Sequence, residues 1–511
     1  MAFESSEIVE FFTGKTIFLT GGTGFVGKAL IQKILNSCPE VGKIFVLLRN
    51  KRNQCPAARL KNLLNEPIFE ELKTLQPNFQ EKVEAIPGDI SIPNLGICCS
   101  DLEVLQKNVS IVIHSAATVR FNSPLKEALN INLQGTGRLL EMATEMKLLQ
   151  AFVYVSTAFS NCERSLVEEK IYQVDVSPQD AIYFVNNLND ELLERISPSL
   201  IKDKPNTYTF SKQLTETLID QWKAKLPICI VRPSIITATE KDPIPGFVDN
   251  FTAMSGVLAG VMTGCIHAIH INDEFRLDII PLDHTVNLIL AAAYRRGKTE
   301  KRSNLQIYNL SSCKNPFSCK VFIPRFEQFC YKNPVKKMMT YPYVYLLTNR
   351  TVFKLGCLFF HRLPAICFDA VAGIMGQKQM CMSIYKKVAE SIEVLEYFTV
   401  NKWTFKSDST KALYDSLSPQ DKSVFRFNVQ DIDWDSYIVD YTKGLRKYAL
   451  KETDQHQGGR KRLLQLRVFD LSLKVFLVLP ILLVFLRRYG RVTVSFFHVL
   501  SKLYLKLLYF L

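Results

Sequence analysis

No two of the 13 cysteines stand at CxxC spacing, their number is odd, and they scatter along the chain. Cys98 and Cys99 are adjacent, where a mutual disulfide is strained. The pattern argues against a disulfide framework and fits reduced thiols in the cytosol. With no His/Cys cluster at ligand spacing, no metal is expected. The opening residues, MAFESSEIVEFFTGK, carry no basic-then-apolar leader, so the body is expected to face the cytosol. Internal repeats and low-complexity tracts are also absent.

The body is short of net charge as well. The formal charge is +14, but 13 Lys or Arg against 3 Asp or Glu fall between Arg446 and Leu511, leaving +4 for the first 445 residues. A nucleic-acid partner is therefore not expected. Nor does the C-terminal tail offer an uninterrupted apolar run of the roughly 20 residues a spanning helix needs. Asp470 and Lys474 interrupt the approach to VFLVLPILLVFL at Val475 to Leu486, and Lys502 and Lys506 interrupt Val492 to Leu511. A basic, apolar end fits membrane lipid with an anionic cytoplasmic leaflet. Three arrangements stay open: spanning, lying on the surface with Lys502 and Lys506 snorkelling, or a helix pair docked on the body. Tyr509 to Leu511 is not an SKL-type address, which places the endoplasmic reticulum ahead of the peroxisome.

What is present begins with Lys15 to Lys28, KTIFLTGGTGFVGK. A short apolar strand runs into Gly21, Gly24 and Gly27 and then a helix. Gly21 suits a sharp turn, Gly24 lets backbone N–H groups approach a pyrophosphate, and Gly27 lets the helix pack on the strand. The strand Thr16 to Thr20 before it, and Lys43 to Leu48 after it, complete a βαβ unit. The plainer reading is a Gly-rich loop.

Further strands are expected at Val83 to Gly88, Ile111 to Ser115, Ala151 to Ser156 and Ile228 to Arg232, alternating with amphipathic stretches. That alternation predicts an α/β, Rossmann-type doubly wound parallel sheet. With 511 residues, two domains plus an appendage are expected. The dinucleotide-binding part with its substrate lobe spans 14–300, a helical C-terminal domain 345–450, a basic flexible linker 451–467 and a hydrophobic anchoring tail 468–511.

The second strand ends in Arg49, followed by Lys51 and Arg52, where a cation favours a 2′-phosphate over a free ribose hydroxyl. The alternative is a solvated basic loop. Asp89 closes the third strand and suits either the adenine amino group or a helix cap. Ser115, Ala116 and Ala117 follow the fourth strand, and their small side chains let a flat cofactor lie close. Asn132 suits a bend or a water near the nicotinamide, or else a polar helix residue bonded to backbone. Tyr208 and Lys212 stand at i and i+4 on one helix face. An ammonium there is expected to lower the phenol pKa toward neutrality and to reach the cofactor ribose. Ser156 and Thr157, at a strand end, offer a hydroxyl to a substrate carbonyl oxygen.

Together TGGTGFVG, YVSTA and YTFSK resemble the extended short-chain dehydrogenase/reductase superfamily. Longer strings, HSAATVRF at His114, YVSTAFSNC at Tyr154, KPNTYTFSK at Lys204, VRPSII at Val231, PGFVDN at Pro245 and DIIPLDHTVN at Asp278, resemble eukaryotic fatty acyl-CoA reductases. Residues 345 to 448 resemble that family's C-terminal male-sterility domain. The resemblance implies NADPH-dependent reduction of a long-chain acyl-CoA to a fatty alcohol by two hydride transfers, through a hemithioacetal and an aldehyde. It implies catalysis by Thr157, Tyr208 and Lys212, with Ser156 as a substitute for Thr157. The cofactor would rest on Thr20, Gly21, Gly22, Thr23, Gly24, Phe25, Val26, Gly27, Arg49, Asp89, Ile90, Ser115, Ala116, Ala117, Asn132, Tyr208, Lys212, Pro233 and Ser234. The apolar stretches Phe247 to Val261 and Val352 to Phe368 are expected either to wall an acyl tunnel or to form ordinary core. A homodimer is left open. Competing readings are a hydroxysteroid dehydrogenase or sugar epimerase of the same superfamily, or a silent NADPH-binding membrane scaffold.

Overall fold

Seven short apolar runs become the central sheet of the computed structural model, which describes residues 6–51, 54–272, 276–299, 304–452 and 457–489. Arg52 and the tail from residue 490, with Lys502 and Lys506, lie outside the described residues. The strands are β1 (Ile17–Thr20), β2 (Ile44–Leu48), β3 (Val83–Pro87), β4 (Ile111–His114), β5 (Ala151–Val155), β6 (Ile228–Pro233) and β7 (Gln306–Leu310). All pair in parallel, in the order β7-β6-β5-β4-β1-β2-β3. Alternate residues feed cores on opposite faces: Ile17 and Leu19 on one, Phe18 on the other. Burial on both faces explains why these runs are continuously apolar.

The order reverses between β4 and β1, and that switch point opens a crevice at the carboxyl ends of the strands. Helix α1 (Phe25–Ser37) starts there, and α2 (Thr207–Trp222) borders it. Helix α3 (Leu282–Lys298) is buried along most of its length against the sheet. The seventh strand lies past residue 300, so the sheet extends beyond the expected limit of its domain. Gln306 and Asn309 break its apolar run in sequence, but Asn309 is fully buried and its amide donates to Lys406 O at 2.8 Å.

The C-terminal part is helical and packs back on the body. Tyr437 and Tyr441 bring their hydroxyls to Thr237 and Ser255, each at 2.7 Å. Helix α4 (Cys381–Val400) reaches the crevice, and α5 (Gln457–Tyr489) runs along the surface. Within 451–467, the described residues 451–452 and 457–467 make contacts with the body. Glu452 accepts from the backbone N–H of Lys336 and Lys337, Arg462 donates to Met338 O, and Leu466 is buried. A Cβ at Gly459 would overlap Pro334 O, so the glycine pair that reads as flexibility serves a close helix approach. The expected tunnel stretches also resolve. In the first, Phe247, Leu258 and Val261 are core while Asp249, Asn250, Thr252 and Ala253 border the crevice; in the second, Val352, Leu355 and Phe359 are 49%, 50% and 58% exposed and do not border it.

Candidate active site

Backbone geometry makes the glycine turn. Gly21 has φ +77°, and a Cβ there would stand 2.7 Å from Ala116 N. A Cβ at Gly27 would overlap Gly21 O, and one at Gly22 would overlap Val46. Gly24 is the N-cap of α1 and brings no side chain to its N–H groups. These orphan donors face a cavity of about 880 Å³ and are free to hold an anion.

Most expected residues meet at this cavity: Gly21, Thr23, Gly24, Phe25, Val26, Gly27, Arg49, Asp89, Ile90, Ser115, Ala116, Ala117, Ser156, Thr157, Tyr208, Pro233 and Ser234 all border it. Thr20, Gly22, Asn132 and Lys212 lie beneath its wall. Thr20 Oγ1 pairs with His114 Nδ1 at 2.7 Å. Burial pulls that imidazole down to about 3, so it is a neutral brace under the site. Asn132 sits in a π turn (Leu129–Gln134), accepts from Thr118 N at 2.9 Å and donates to Ser211 Oγ at 2.9 Å. These bonds tie the π turn to Thr118 and to α2. Ser234 Oγ is buried and has no hydrogen-bond partner. An orphan hydroxyl beside an uncapped helix N-terminus fits a polar cofactor crossing the crevice.

At the adenosine end, Asp89 is engaged locally. Its carboxylate accepts from Ser91 N and Ser91 Oγ, and lies 3.6 Å from Arg49. Burial would raise its pKa, but the Ser91 bonds and the Arg49 charge hold it below the usual range. Arg59 is the residue the sequence reading missed. From the helix Pro56–Leu64 it donates to Arg49 O at 2.6 Å and reaches Thr23 Oγ1 at 3.4 Å. Burial and then the neighbouring Arg49 charge lower its pKa. Two guanidinium groups crowded at one rim suit a polyanionic phosphate.

The reacting end is built on α2, whose first turn is capped by Asn206. Tyr208 and Thr157 border the same cavity, with the Thr157 hydroxyl placed to favour the Tyr208 phenolate. Its phenol is pushed above the ordinary value by burial, with Thr157 opposing and Glu216 adding to the rise. This corrects the expectation that Lys212 lowers it. Lys212 donates instead to Val155 O at 2.8 Å and lies over the Tyr154 ring at 4.6 Å, and burial pulls it down to about 7 against the Glu216 charge. Ser156 does not stand in for Thr157: its hydroxyl donates to Glu216 at 2.5 Å. Glu216 in turn takes a two-pronged contact from Arg232, at 2.9 and 2.7 Å. This buried pair was also missed, although Tyr208, Lys212 and Glu216 continue the i+4 step. Opposite the tyrosine, Phe121 lies 5.6 Å from its ring, and Phe398 of α4 packs on Phe121 and Phe159.

A doubly wound sheet, a glycine turn at its switch point and a tyrosine over a buried lysine define a nicotinamide-dinucleotide-binding α/β reductase. The comparisons agree. The family profiles described as "Male sterility protein" match an NAD-binding part over residues 19–289 and a sterile part over 360–452. Fatty acyl-CoA reductase 1 of Xenopus laevis is 35% identical, and that of Homo sapiens 34%, each over 98% of this chain and 98% of the relative. Fatty acyl-CoA reductase wat of Drosophila melanogaster is 35% identical over 88% of this chain and 87% of its own length. The chain belongs to the fatty acyl-CoA reductase family and is an oxidoreductase of that type. Among solved structures, the reductase domain of a nonribosomal peptide synthetase from Mycobacterium tuberculosis aligns with TM-score 0.56 at 16% identity, over 87% of this chain and 96% of its own. That likeness shows a shared fold.

Proposed function

We propose that the protein reduces long-chain acyl-CoA to fatty alcohol and CoA, consuming two NADPH and two protons per alcohol. The observation that carries this reading is the Tyr208–Thr157 hydroxyl pair set between a dinucleotide turn on one side and an aromatic wall on the other. Held by the glycine turn, a reduced nicotinamide would supply the hydride. The two hydroxyls donate to the carbonyl oxygen as it gains negative charge, and Tyr208, protonated because its pKa is raised, gives up the proton. A tetrahedral hemithioacetal then loses CoA as the thiol, and the aldehyde left behind meets the same two hydroxyls for the second reduction. Phe121, Phe159 and Phe398 offer the apolar surface that an acyl chain needs next to the carbonyl. Lys212, one helical turn after Tyr208 and beneath the wall, would add its ammonium charge under the site in its protonated form.

Arg49 and Arg59 support NADPH over NADH. Replacing either one by serine is expected to raise the KM for NADPH roughly 10- to 100-fold, since a charge-assisted bond contributes about 1.5–3 kcal/mol. The KM for NADH should change little; an equal loss with both cofactors would remove the assignment. The direct test is NADPH oxidation by membranes containing the protein with palmitoyl-CoA, with lipid extraction for alcohol and aldehyde. Two NADPH per alcohol is the expected stoichiometry. The basic, apolar C-terminus supports residence on a membrane, where such a substrate and product partition.

A further inference from the structure

Among the described residues, Arg350–Ile374 is the helical segment long and apolar enough to cross a bilayer, yet it is fastened lengthwise to the body. It runs as Arg350–Cys357, a π turn at Leu358–Arg362 and Leu363–Ile374. At its midpoint, His361 Nε2 accepts from the His267 backbone N–H at 2.7 Å. Phe353 and Ala365 are buried on the same side, and Arg350 pairs with Glu396 of α4 at 3.2 Å. A helix held this way along one flank has its other flank free and its axis along the protein surface.

The free flank is an apolar stripe. Val352, Leu355, Phe359, Ile366, Val371 and Ile374 are 43–87% exposed. The stripe continues onto α5, where Phe469 meets Phe368 at 6.2 Å and Val468 and Val475 stand open. A contiguous patch of this kind marks a binding surface. Its charges say what binds. Between residues 350 and 380 lie Arg350, Lys354, Arg362 and Lys378 against Asp369 alone. That carboxylate is taken by the backbone N–H groups of Met380, Cys381 and Met382. In α5 seven Lys or Arg oppose Asp470, which is paired with Lys474 at 2.6 Å. A second copy of the chain would bring cations against cations.

We propose that this face is a lipid-docking platform, on which the 350–374 segment and the neighbouring turns of α5 lie in the plane of an anionic bilayer interface. Apolar side chains dip below the headgroups while the flanking Lys and Arg meet them. Helix α4 packs on this segment and carries Leu395 and Phe398 to the cavity, so one helix links the docked face to the aromatic wall. The proposal deepens the membrane reading above. It is read from lipid contact alone, so a failure of acyl-CoA turnover leaves it standing.

The test uses the full chain and phosphatidylcholine vesicles with and without phosphatidylserine. A tryptophan placed by Phe359→Trp should be quenched by lipids brominated near the interface far more than by lipids brominated at the chain ends. Quenching should grow with phosphatidylserine and weaken with salt. Phe359→Glu/Ile366→Glu/Val371→Glu should cut vesicle affinity at least about tenfold, and the milder Lys354→Ala/Arg362→Ala should flatten the salt dependence. Quenching strongest at the chain ends would mean a spanning helix and overturn the proposal. So would vesicle binding without quenching, through residues 490–511. A triple variant that turns a dimer into a monomer while binding vesicles unchanged would identify a second copy as the occupant and overturn it as well.

Discussion

Replacing Tyr208 by phenylalanine is expected to reduce turnover of acyl-CoA by about 10²- to 10⁴-fold, the range that a positioned proton donor supplies. NADPH affinity should stay within about twofold of the parent. The ring keeps its packing against Phe121, and α2 keeps its Asn206 cap, so what is lost is one hydroxyl. Thr157 remains, and its own contact to Phe159 N at 3.2 Å holds it in place. A single remaining donor leaves a fraction of the oxyanion stabilisation, which is why the variant should retain slow turnover rather than none. Thr157→Val should cost less, because the proton itself still comes from Tyr208. The check is kcat and KM for both substrates by NADPH oxidation, with cofactor binding measured separately by fluorescence. Retained turnover within about threefold of the parent would take Tyr208 out of the reaction.

The pH profile gives the same site a second reading. Lys212 is pulled down to about 7 by burial, while Glu216 acts to raise it. If the protonated lysine is the active form, kcat/KM falls as pH rises through about 7. Removing the carboxylate charge with Glu216→Gln takes away the influence that raises Lys212, so that limb should move to lower pH. A limb that stays put, or moves upward, would show that the falling rate belongs to another group.

Much of this was legible in the chain. Gly21 and Gly27 announce a turn because a Cβ at either would run into neighbouring backbone, and Tyr208 and Lys212 declare one helix face by spacing alone. Local geometry is what a sequence states most directly. Arg59 was silent because its place at the cavity rim comes from the helix Pro56–Leu64 folding back onto Arg49 and Thr23. Phe398 was silent for the same reason, reaching the cavity from a helix that begins at Cys381. Ser156 and Thr157 are neighbours in sequence and indistinguishable by type. The extended backbone running on past β5 separates them, since successive side chains there point to opposite sides, leaving Thr157 toward Tyr208 and Ser156 at Glu216. The glycines and charges of residues 451–467 read as a linker because composition does not say whether a glycine is there to bend or to be packed against. For Tyr208 itself, the sequence suggests a neighbouring ammonium, whereas the fold aims that ammonium at a carbonyl.

The largest stability effect is expected at Arg232. Its side chain is fully buried, and it holds Glu216, itself 2% exposed, through two hydrogen bonds. Its remaining donors reach Glu168 O at 3.1 Å and Lys170 O at 2.9 Å, so it ties β6 and α2 to the 168–170 loop. Arg232→Met fills much of the volume but strands a buried carboxylate, for which breaking a pair costs about 3–5 kcal/mol. The Ser156 hydroxyl alone cannot offset a full charge. Arg232→Met/Glu216→Gln should recover most of that loss, since desolvating two charges is itself costly and their neutral replacement removes the penalty on both sides. The double variant should nevertheless stay slow, because the field that supports Lys212 has gone with the carboxylate. Urea unfolding of the parent, single and double variants separates the two effects. Equal destabilisation by the single and the double change would show that the pair matters for packing rather than for charge, and that Glu216 tolerates standing alone beneath the site.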